Sequence, residues 1–465
     1  MEFNASNTVL WNIVIQLGII AVTVLFSTLL RRKIAFVRQA MLPTAVLAGF
    51  VLLILRSVGL LELDGDFLEM TTYHGIAVGF IAMSLRVPAG NREKGGGLDG
   101  VKSGALIVST YLVQALLGLL ISAGLAFTVM PGLFKAAGIL LPMGYGQGAG
   151  QANNVGMTYE ALGFVGGRSF GLSLAAAGYL CACVVGVIYI NILRRRGRVC
   201  AAGEETSNAV TVDDFENRGE IPVSESIDRF SMQVMLVGLV YLLTYLVSLG
   251  IDSLIAAAAP GLTATVSPLL WGFNFIIGSA LAMLVRVVLG ALRRRNIMTR
   301  QYQNNYLLSR ISGVAFDLMT IAGIASINIE DLSGLWVPFL LMAVSGGIVT
   351  LVYLQWTCRR IYPGYYYEGL VSMYGMLTGT ISSGVLLLRE IDDTFATPAA
   401  NNLVLGSSFA ILFGAPMLIL IGLAPDSDAM LLLVFALCAV YLAALLLFLF
   451  RFGGRGKKKP RGERA

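Results

Sequence analysis

Charged residues are scarce in this chain of 465 residues. They make up 13% of the sequence, whereas an average soluble domain has ~25%. Hydrophobic residues make up 57%, and the mean hydropathy is +0.78. Apolar runs of ~20 residues, the length that spans a bilayer as a helix, recur along the whole chain. The composition therefore excludes an ordinary soluble domain and predicts an all-α polytopic membrane protein.

Histidine is almost absent from the sequence, and His74 is the only one. An enzyme site inside a membrane needs a nucleophile beside a base, or clustered metal ligands. The five cysteines show neither a grouping with histidine nor the spacing of a disulfide framework. The sequence therefore predicts a protein that is not an enzyme, with no cofactor and no metal site beyond one for sodium.

The net charge of +6 is concentrated in loops and in the C-terminal segment RFGGRGKKKPRGERA. This segment has no interleaved aromatic residues, which argues against nucleic-acid binding. Basic residues beside an apolar span are typical of the cytoplasmic face of a membrane. We therefore expect lipid, and no nucleic acid, around this protein.

About eleven segments have the composition of membrane spans. They cover residues 9–30, 41–60, 73–88, 102–130, 169–193, 231–250, 267–290, 311–328, 335–357, 402–423 and 428–450. Basic residues follow the odd-numbered spans, and acidic residues follow the second, eighth and tenth. By the positive-inside rule, this alternation predicts a cytoplasmic membrane protein with its N-terminus outside and its C-terminus in the cytoplasm.

Two segments, 132–166 and 364–398, are too interrupted by glycine and polar residues to be ordinary spans. The charge alternation holds only if each enters and leaves the membrane on the same side. We therefore expect two re-entrant hairpins, the first from outside and the second from the cytoplasm. Such irregular backbone is tolerated at membrane depth only inside protein or beside a wet cavity.

The same topology divides the chain into two halves that start on opposite sides of the membrane. The predicted units are an N-terminal repeat 1–193, a cytoplasmic linker 194–230, a C-terminal repeat 231–423, and an extra helix with a basic tail 424–465. HGIAVGF (74–80) resembles SGVAFDL (312–318), and MGYGQGAG (143–150) aligns without gaps on YGMLTGTI (374–381). Inverted repeats with paired broken segments are typical of secondary transporters.

The first hairpin is rich in glycines and amides, which predicts a substrate or ion site. The candidates there are Gly146, Gln147, Gly148, Gln151, Asn153 and Asn154. A glycine-rich surface for close helix packing is the alternative. A nucleotide loop is excluded, because the G-x-G-x-x-G spacing fails and no Gly-Lys-Ser/Thr follows.

The second hairpin offers hydroxyl groups beside glycines. Its candidate substrate ligands are Thr378, Gly379, Thr380, Ser382 and Ser383. The alternative is that the hydroxyls bond to their own helix.

Asp317 lies in the middle of the eighth predicted span, where a carboxylate is a functional candidate as a sodium ligand, a proton carrier or a partner of a substrate ammonium. The alternative is a pair with Arg310, two helical turns away. Asn154, Asp392 and Asn401 complete the candidate ion ligands, although Asn401 is also placed to cap the tenth span.

The sequence resembles the bacterial sodium:glutamate symporter family. The resemblance covers nearly the whole chain and is carried by MLPTAVLAGFVL, YHGIAVGFIAMSLR, residues 143–156, and YGMLTGTISSGVLLLREID at 374–392. It implies two five-span inverted repeats with re-entrant loops, a homodimer, and sodium-coupled uptake of glutamate by a moving core domain. It also implies a substrate role for Arg389, whose guanidinium can hold a carboxylate, whereas position alone favours a cytoplasmic anchor.

The first hairpin departs from the family, because GYGQG stands where a Gly-Gly-His-Gly-Thr-like run is expected. This departure bears on the identity of the substrate more than on the fold. We therefore expect sodium-coupled symport of glutamate or a similar acidic amino acid. The alternative is a sodium- or proton-coupled carrier of another small carboxylate.

Overall fold

The computed structural model describes residues 8–34, 43–87, 96–199, 229–258, 263, 266–267, 270–298, 300–392 and 397–453. All regular elements in these ranges are helices. Nine of these helices are long and apolar enough to cross a membrane. The chain is therefore an all-α membrane protein, as its composition predicts. Most of the predicted linker and the basic tail lie outside the described residues.

The helices before the linker are α1 (Thr8–Lys33), α2 (Thr44–Ser57), α3 (Gly65–Leu85), α4 (Gly96–Thr128), α5 (Ala149–Ala161) and α6 (Gly167–Arg195). Three short turns precede α5, at Lys135–Ile139, Leu140–Pro142 and Met143–Gln147. The helices after the linker are α7 (Arg229–Ala258), α8 (Asn274–Arg294), α9 (Asn305–Ala325), α10 (Trp336–Ile361), α11 (Tyr366–Thr378), α12 (Ile381–Arg389), α13 (Ala399–Leu423) and α14 (Asp428–Gly453).

Two of the predicted spans, the second and the third, are not among the nine helices. Helix α2 has 14 residues and is about 21 Å long, whereas the hydrocarbon core is ~30 Å thick. Helix α3 begins eight residues before the predicted third span, because the Asp64 side chain accepts hydrogen bonds from the N–H groups of Asp66 and Phe67. This cap stabilises the first turn and carries acidic residues into the helix.

The described helices pack as two bundles. The first bundle contains α1, α2 and α3 with α7, α8 and α9, and the second contains α4, α5 and α6 with α10 to α14. Each bundle therefore combines helices from before and after the linker. In the most apolar window of α4, 72% of the residues are buried, against 22% in α1, so α4 lies at the centre and α1 on the outer surface.

Helices α3 and α9 cross closely at the centre of the first bundle. A Cβ atom on Gly79 would lie 2.5 Å from the Phe316 ring, and one on Gly75 would lie 3.0 Å from the Ala315 carbonyl oxygen. Glycine is needed here because any side chain would push the two helices apart. The stretches HGIAVGF and SGVAFDL, which resemble each other in sequence, thus pack against each other.

Helix α5 packs mainly on α6 of the second bundle, yet it also contacts α3 and α9 of the first. A Cβ atom on Gly150 would lie 2.7 Å from both Ile76 Cδ1 and Met319 Sδ. The side chain of Asn154 donates a hydrogen bond to the carbonyl of Gly272, just before α8. Helix α5 therefore lies at the boundary between the two bundles.

Candidate functional site

The first glycine-rich segment forms a helix, a break and a second helix. The chain makes a π-helical turn at Met143–Gln147, breaks at Gly148, and continues as α5 from Ala149. Gly148 has φ 88° and ψ −173°, a backbone conformation that is essentially limited to glycine. Gly148 is thus the residue at which the helical backbone of this segment breaks, and the re-entrant course of the segment stays a prediction.

The second polar segment has the same form. Helix α11 ends at Thr378, and α12 begins at Ile381. Between them, Thr380 is extended and caps α12, because its hydroxyl oxygen accepts a hydrogen bond from the N–H of Ser383 (3.4 Å). A threonine in this position satisfies a backbone donor that the helix itself leaves unpaired.

The two breaks lie against each other. A Cβ atom on Gly148 would be 3.8 Å from Thr380 Cγ2 and 3.9 Å from the Gly379 carbonyl oxygen. Helices α5 and α12 both begin here, so the partial positive charges of two helix N-termini converge. Free N–H groups at such a point favour an anion, whereas the carbonyl ends of the preceding helices favour a cation.

Tyr179 of α6 lies beside the first break, where its hydroxyl would be 3.2 Å from a Cβ atom on Gly148. Its hydroxyl oxygen accepts a hydrogen bond from the Ala149 N–H (3.4 Å). Asp317 of α9 lies one turn before Thr320 and two residues before Met319, whose sulfur would be 2.7 Å from a Cβ atom on Gly150 at the start of α5. Tyr179 and Thr320 are buried, but the Asp317 side chain is exposed. The structure thus places the predicted intramembrane carboxylate near the two breaks.

A cavity lies between the two bundles beside the breaks. The second bundle contributes Gly146, Gln147, Gly379 and Thr380, four of the predicted site residues. The cavity volume is about 120 Å³. A single water needs at least ~10–15 Å³, so the cavity has room for several waters or a small solute. None of its lining residues in the described part of the chain carries a formal charge.

Phenylalanine rings from the first bundle form an aromatic wall on this cavity, made of Phe80, Phe273, Phe275 and Phe316. The rings of Phe80 and Phe316 meet edge to face with centroids 5.4 Å apart, and those of Phe80 and Phe275 are 5.0 Å apart. Such pairs are held by ring quadrupoles as well as by apolar burial. The wall therefore gives the cavity one firm apolar side.

The amides of α5 differ in their contacts. Asn153 accepts a hydrogen bond from Arg168 Nε (2.8 Å), and Asn154 bonds to the Gly272 carbonyl, so both hold helices together. Gln151 is 1% exposed, and neither its side-chain nitrogen nor its oxygen has a hydrogen-bond partner among the described residues. Buried amides are almost always paired, so Gln151 is the one of the three that has capacity for a ligand or water.

The predicted hydroxyl ligands of the second segment also differ in their contacts. Thr380 lines the cavity, and the buried Ser383 lies beside it, with the two hydroxyl oxygens 3.5 Å apart. Thr378 is buried and donates to the carbonyl of Tyr374 (2.7 Å), as the alternative interpretation expects. Ser382 lies in the first turn of α12.

The remaining predicted site residues, Arg389, Asp392 and Asn401, do not line the cavity either. Arg389 is the exposed last residue of α12, about 12 Å along the helix from Ile381, which fits a role as an anchor. Asp392 accepts hydrogen bonds from the N–H and hydroxyl of Thr397. Asn401 is exposed in the first turn of α13 and does not cap it, because that helix begins at Ala399.

Sequence reasoning missed Gln114 of α4. Its side-chain nitrogen lies 2.9 Å from the Leu377 carbonyl oxygen and 2.9 Å from Thr350 Oγ1, so it holds the end of α11 at the break. An amide inside the apolar run YLVQALLGLL was a signal that could have identified it. The aromatic wall and Tyr179 carry no such signal, because aromatic residues are common in membrane spans.

Comparisons of the chain with models of protein families, with curated proteins and with solved structures find no match.

Proposed function

We propose that this protein is a secondary active transporter. The observation that carries the proposal is the meeting of two helix breaks, one from each half of the chain, beside a cavity between two bundles. Broken helices leave backbone groups unpaired, at a cost of several kcal/mol each in hydrocarbon. A membrane protein retains two such breaks at one point when the free groups bind a solute or an ion.

Transport requires the cavity to open to each side of the membrane in turn. Because the cavity is lined from both bundles, a movement of the second bundle against the first would change the side of the membrane to which the cavity opens. In this proposal the two broken segments are re-entrant and the two halves are inverted repeats. Two observations support this arrangement. Each bundle contains helices from both halves of the chain, and the similar stretches of α3 and α9 pack against each other.

The proposed cargo is a small carboxylate. The partial positive charges of the α5 and α12 N-termini favour a carboxylate where the breaks meet. The resemblance to sodium:glutamate symporters favours glutamate or a similar acidic amino acid with sodium as the coupling ion. In this scheme Asp317 supplies a negative charge near the breaks for the ion.

A different small carboxylate is the second candidate, coupled to sodium or to a proton. It is favoured by the uncharged lining of the cavity, where a second carboxylate finds no cationic side chain among the described residues.

The same proposal places the protein in the cytoplasmic membrane with its N-terminus outside. It acts as a homodimer, a state that rests on the resemblance.

Uptake into proteoliposomes tests the proposal. Labelled amino acids and mono- and dicarboxylates are offered with an inward sodium gradient, with an inward proton gradient, and without a gradient. Accumulation that disappears when an ionophore abolishes the gradient is the expected result. Equal uptake with and without a gradient for every solute, by protein that remains folded, would contradict secondary active transport.

A further inference from the structure

The few polar side chains of the cavity are grouped on one of its sides. Gln147 and Thr380 lie at the breaks on the second bundle together with Ser407, and the other second-bundle lining residues are mostly apolar. On the first bundle, the lining consists of the aromatic wall with Ile76, Ile276 and Met319. A solute that fits both sides has one polar end and one apolar body.

We propose that the cargo is an amino acid with an apolar side chain, preferably an aromatic one. This inference rests on the proposed function as a transporter and narrows its substrate class. The carboxylate of the amino acid lies at the N-termini of α5 and α12, and its side chain lies against the aromatic wall.

Charge complementarity separates this cargo from a dicarboxylate such as glutamate. A second carboxylate would lose its water in a cavity whose lining, in the described residues, has no lysine, arginine or histidine. A buried ion without a partner is strongly unfavourable. Asp317 lies two residues before Met319, which lines the cavity, and its negative charge attracts the ammonium of an amino acid and repels a second carboxylate.

The shape of the wall favours a ring or a branched chain. Phe80 already meets Phe316 edge to face, and a further ring extends the same packing. Met319 and Met376 also line the cavity, and methionine side chains adapt to solutes of different shape. The cavity volume of about 120 Å³ accommodates one such side chain.

The test compares labelled L-phenylalanine, L-leucine, L-alanine and L-glutamate in proteoliposomes under the same cation gradient. We expect gradient-driven accumulation of phenylalanine and leucine, with a half-saturation concentration at least about tenfold below that of glutamate, or about 1.4 kcal/mol. Glutamate bound as well as or better than phenylalanine overturns this inference and leaves the transporter proposal standing. Gradient-independent behaviour of every solute overturns both.

Two matched phenylalanine variants place the side chain of the cargo. Phe316→Ala removes a ring of the wall, whereas Phe26→Ala removes a ring on α1 that is 49% exposed. We expect Phe316→Ala to raise the half-saturation concentration for phenylalanine about tenfold more than that for alanine, and Phe26→Ala to change neither. An equal rise for both amino acids in Phe316→Ala would overturn the placement, because it would show that the ring does not contact the side chain of the cargo. Phe316→Leu is expected to restore part of the difference.

Discussion

Arg168 Nη1 lies 3.1 Å from Glu69 Oε2, and this ion pair joins α6 of the second bundle to α3 of the first. The same guanidinium donates to Asn153, in the helix that follows the first break. The two side chains are 20% and 31% exposed, so water screens the attraction without removing it. A contact of this kind between two bundles has to open if the bundles move relative to each other.

Glu69→Gln removes this ion pair and is expected to raise the maximal rate of uptake. If leaving the observed arrangement limits turnover, the loss of a partly exposed pair speeds it about two- to fivefold, or up to about 1 kcal/mol. The measurement is initial uptake at saturating solute. Asp428→Asn is the control, because Lys135 Nζ and Asp428 Oδ2 lie 2.7 Å apart within the second bundle. Equal acceleration by both variants would rule out a specific role for the contact between bundles.

Gly148→Ala is expected to reduce uptake more than about tenfold while the protein still folds. The substitution puts a Cβ atom in a glycine-only conformation, which costs about 1–3 kcal/mol, and within 3.2 Å of the Tyr179 hydroxyl. Gly163→Ala is the matched control, because Gly163 also has a positive φ of 97° but no atom within 4 Å of the added Cβ. Similar uptake by the two variants would show that the position beside Thr380 has no special importance.

Asp317→Asn is expected to abolish stimulation of uptake by the coupling cation. The substitution keeps the size of the side chain and removes the negative charge two residues before Met319, which lines the cavity. Uptake is measured with and without the cation gradient, and the ratio of the two rates is compared with that of the wild type. Asp252→Asn serves as the control, since Asp252 lies near the end of α7 and bonds to Trp271 (3.1 Å). An unchanged ratio in Asp317→Asn would exclude this carboxylate from coupling.

Gln114→Leu is expected to lower stability by about 1–3 kcal/mol, because the Leu377 carbonyl and the Thr350 hydroxyl lose a buried partner. Thermal unfolding of the purified protein in detergent measures this change. Gln16→Leu is the control, since its nitrogen bonds only weakly to Asn12, at 3.4 Å. An equal change in the unfolding temperature of both variants would mean that the contact at the end of α11 makes no specific contribution to stability.

The helix breaks were predictable from the sequence, and their exact partners were not. Repeated glycines and amides in an apolar chain indicate irregular backbone, because both residue types are unfavourable in a regular membrane helix. Whether a given amide binds its neighbours or stays free depends on what packs around it. Asn154 and Gln151 are three residues apart, yet the first bonds to Gly272 and the second has no partner in the described part of the chain.

The start of α3 shows a second limit of the sequence pattern. Hydropathy places the third span at 73–88, because the preceding residues include acidic side chains. The helix instead begins at Gly65, since Asp64 caps it and one of the acidic residues, Glu69, pairs with Arg168 across the bundles. Residues that hydropathy assigns to a loop are thus held in a helix by partners distant in sequence.

The sequence by itself determined the helical membrane class of this protein and the places where its helices break. Both depend on properties that act locally, namely the length of apolar runs and the backbone freedom of glycine at Gly148. Only the tertiary structure decided that Gly148 meets Thr380, that Phe80 and Phe316 form one wall, and that this wall faces an uncharged cavity. These relationships arise from packing between helices far apart in the chain, where shape and burial in three dimensions select the neighbours.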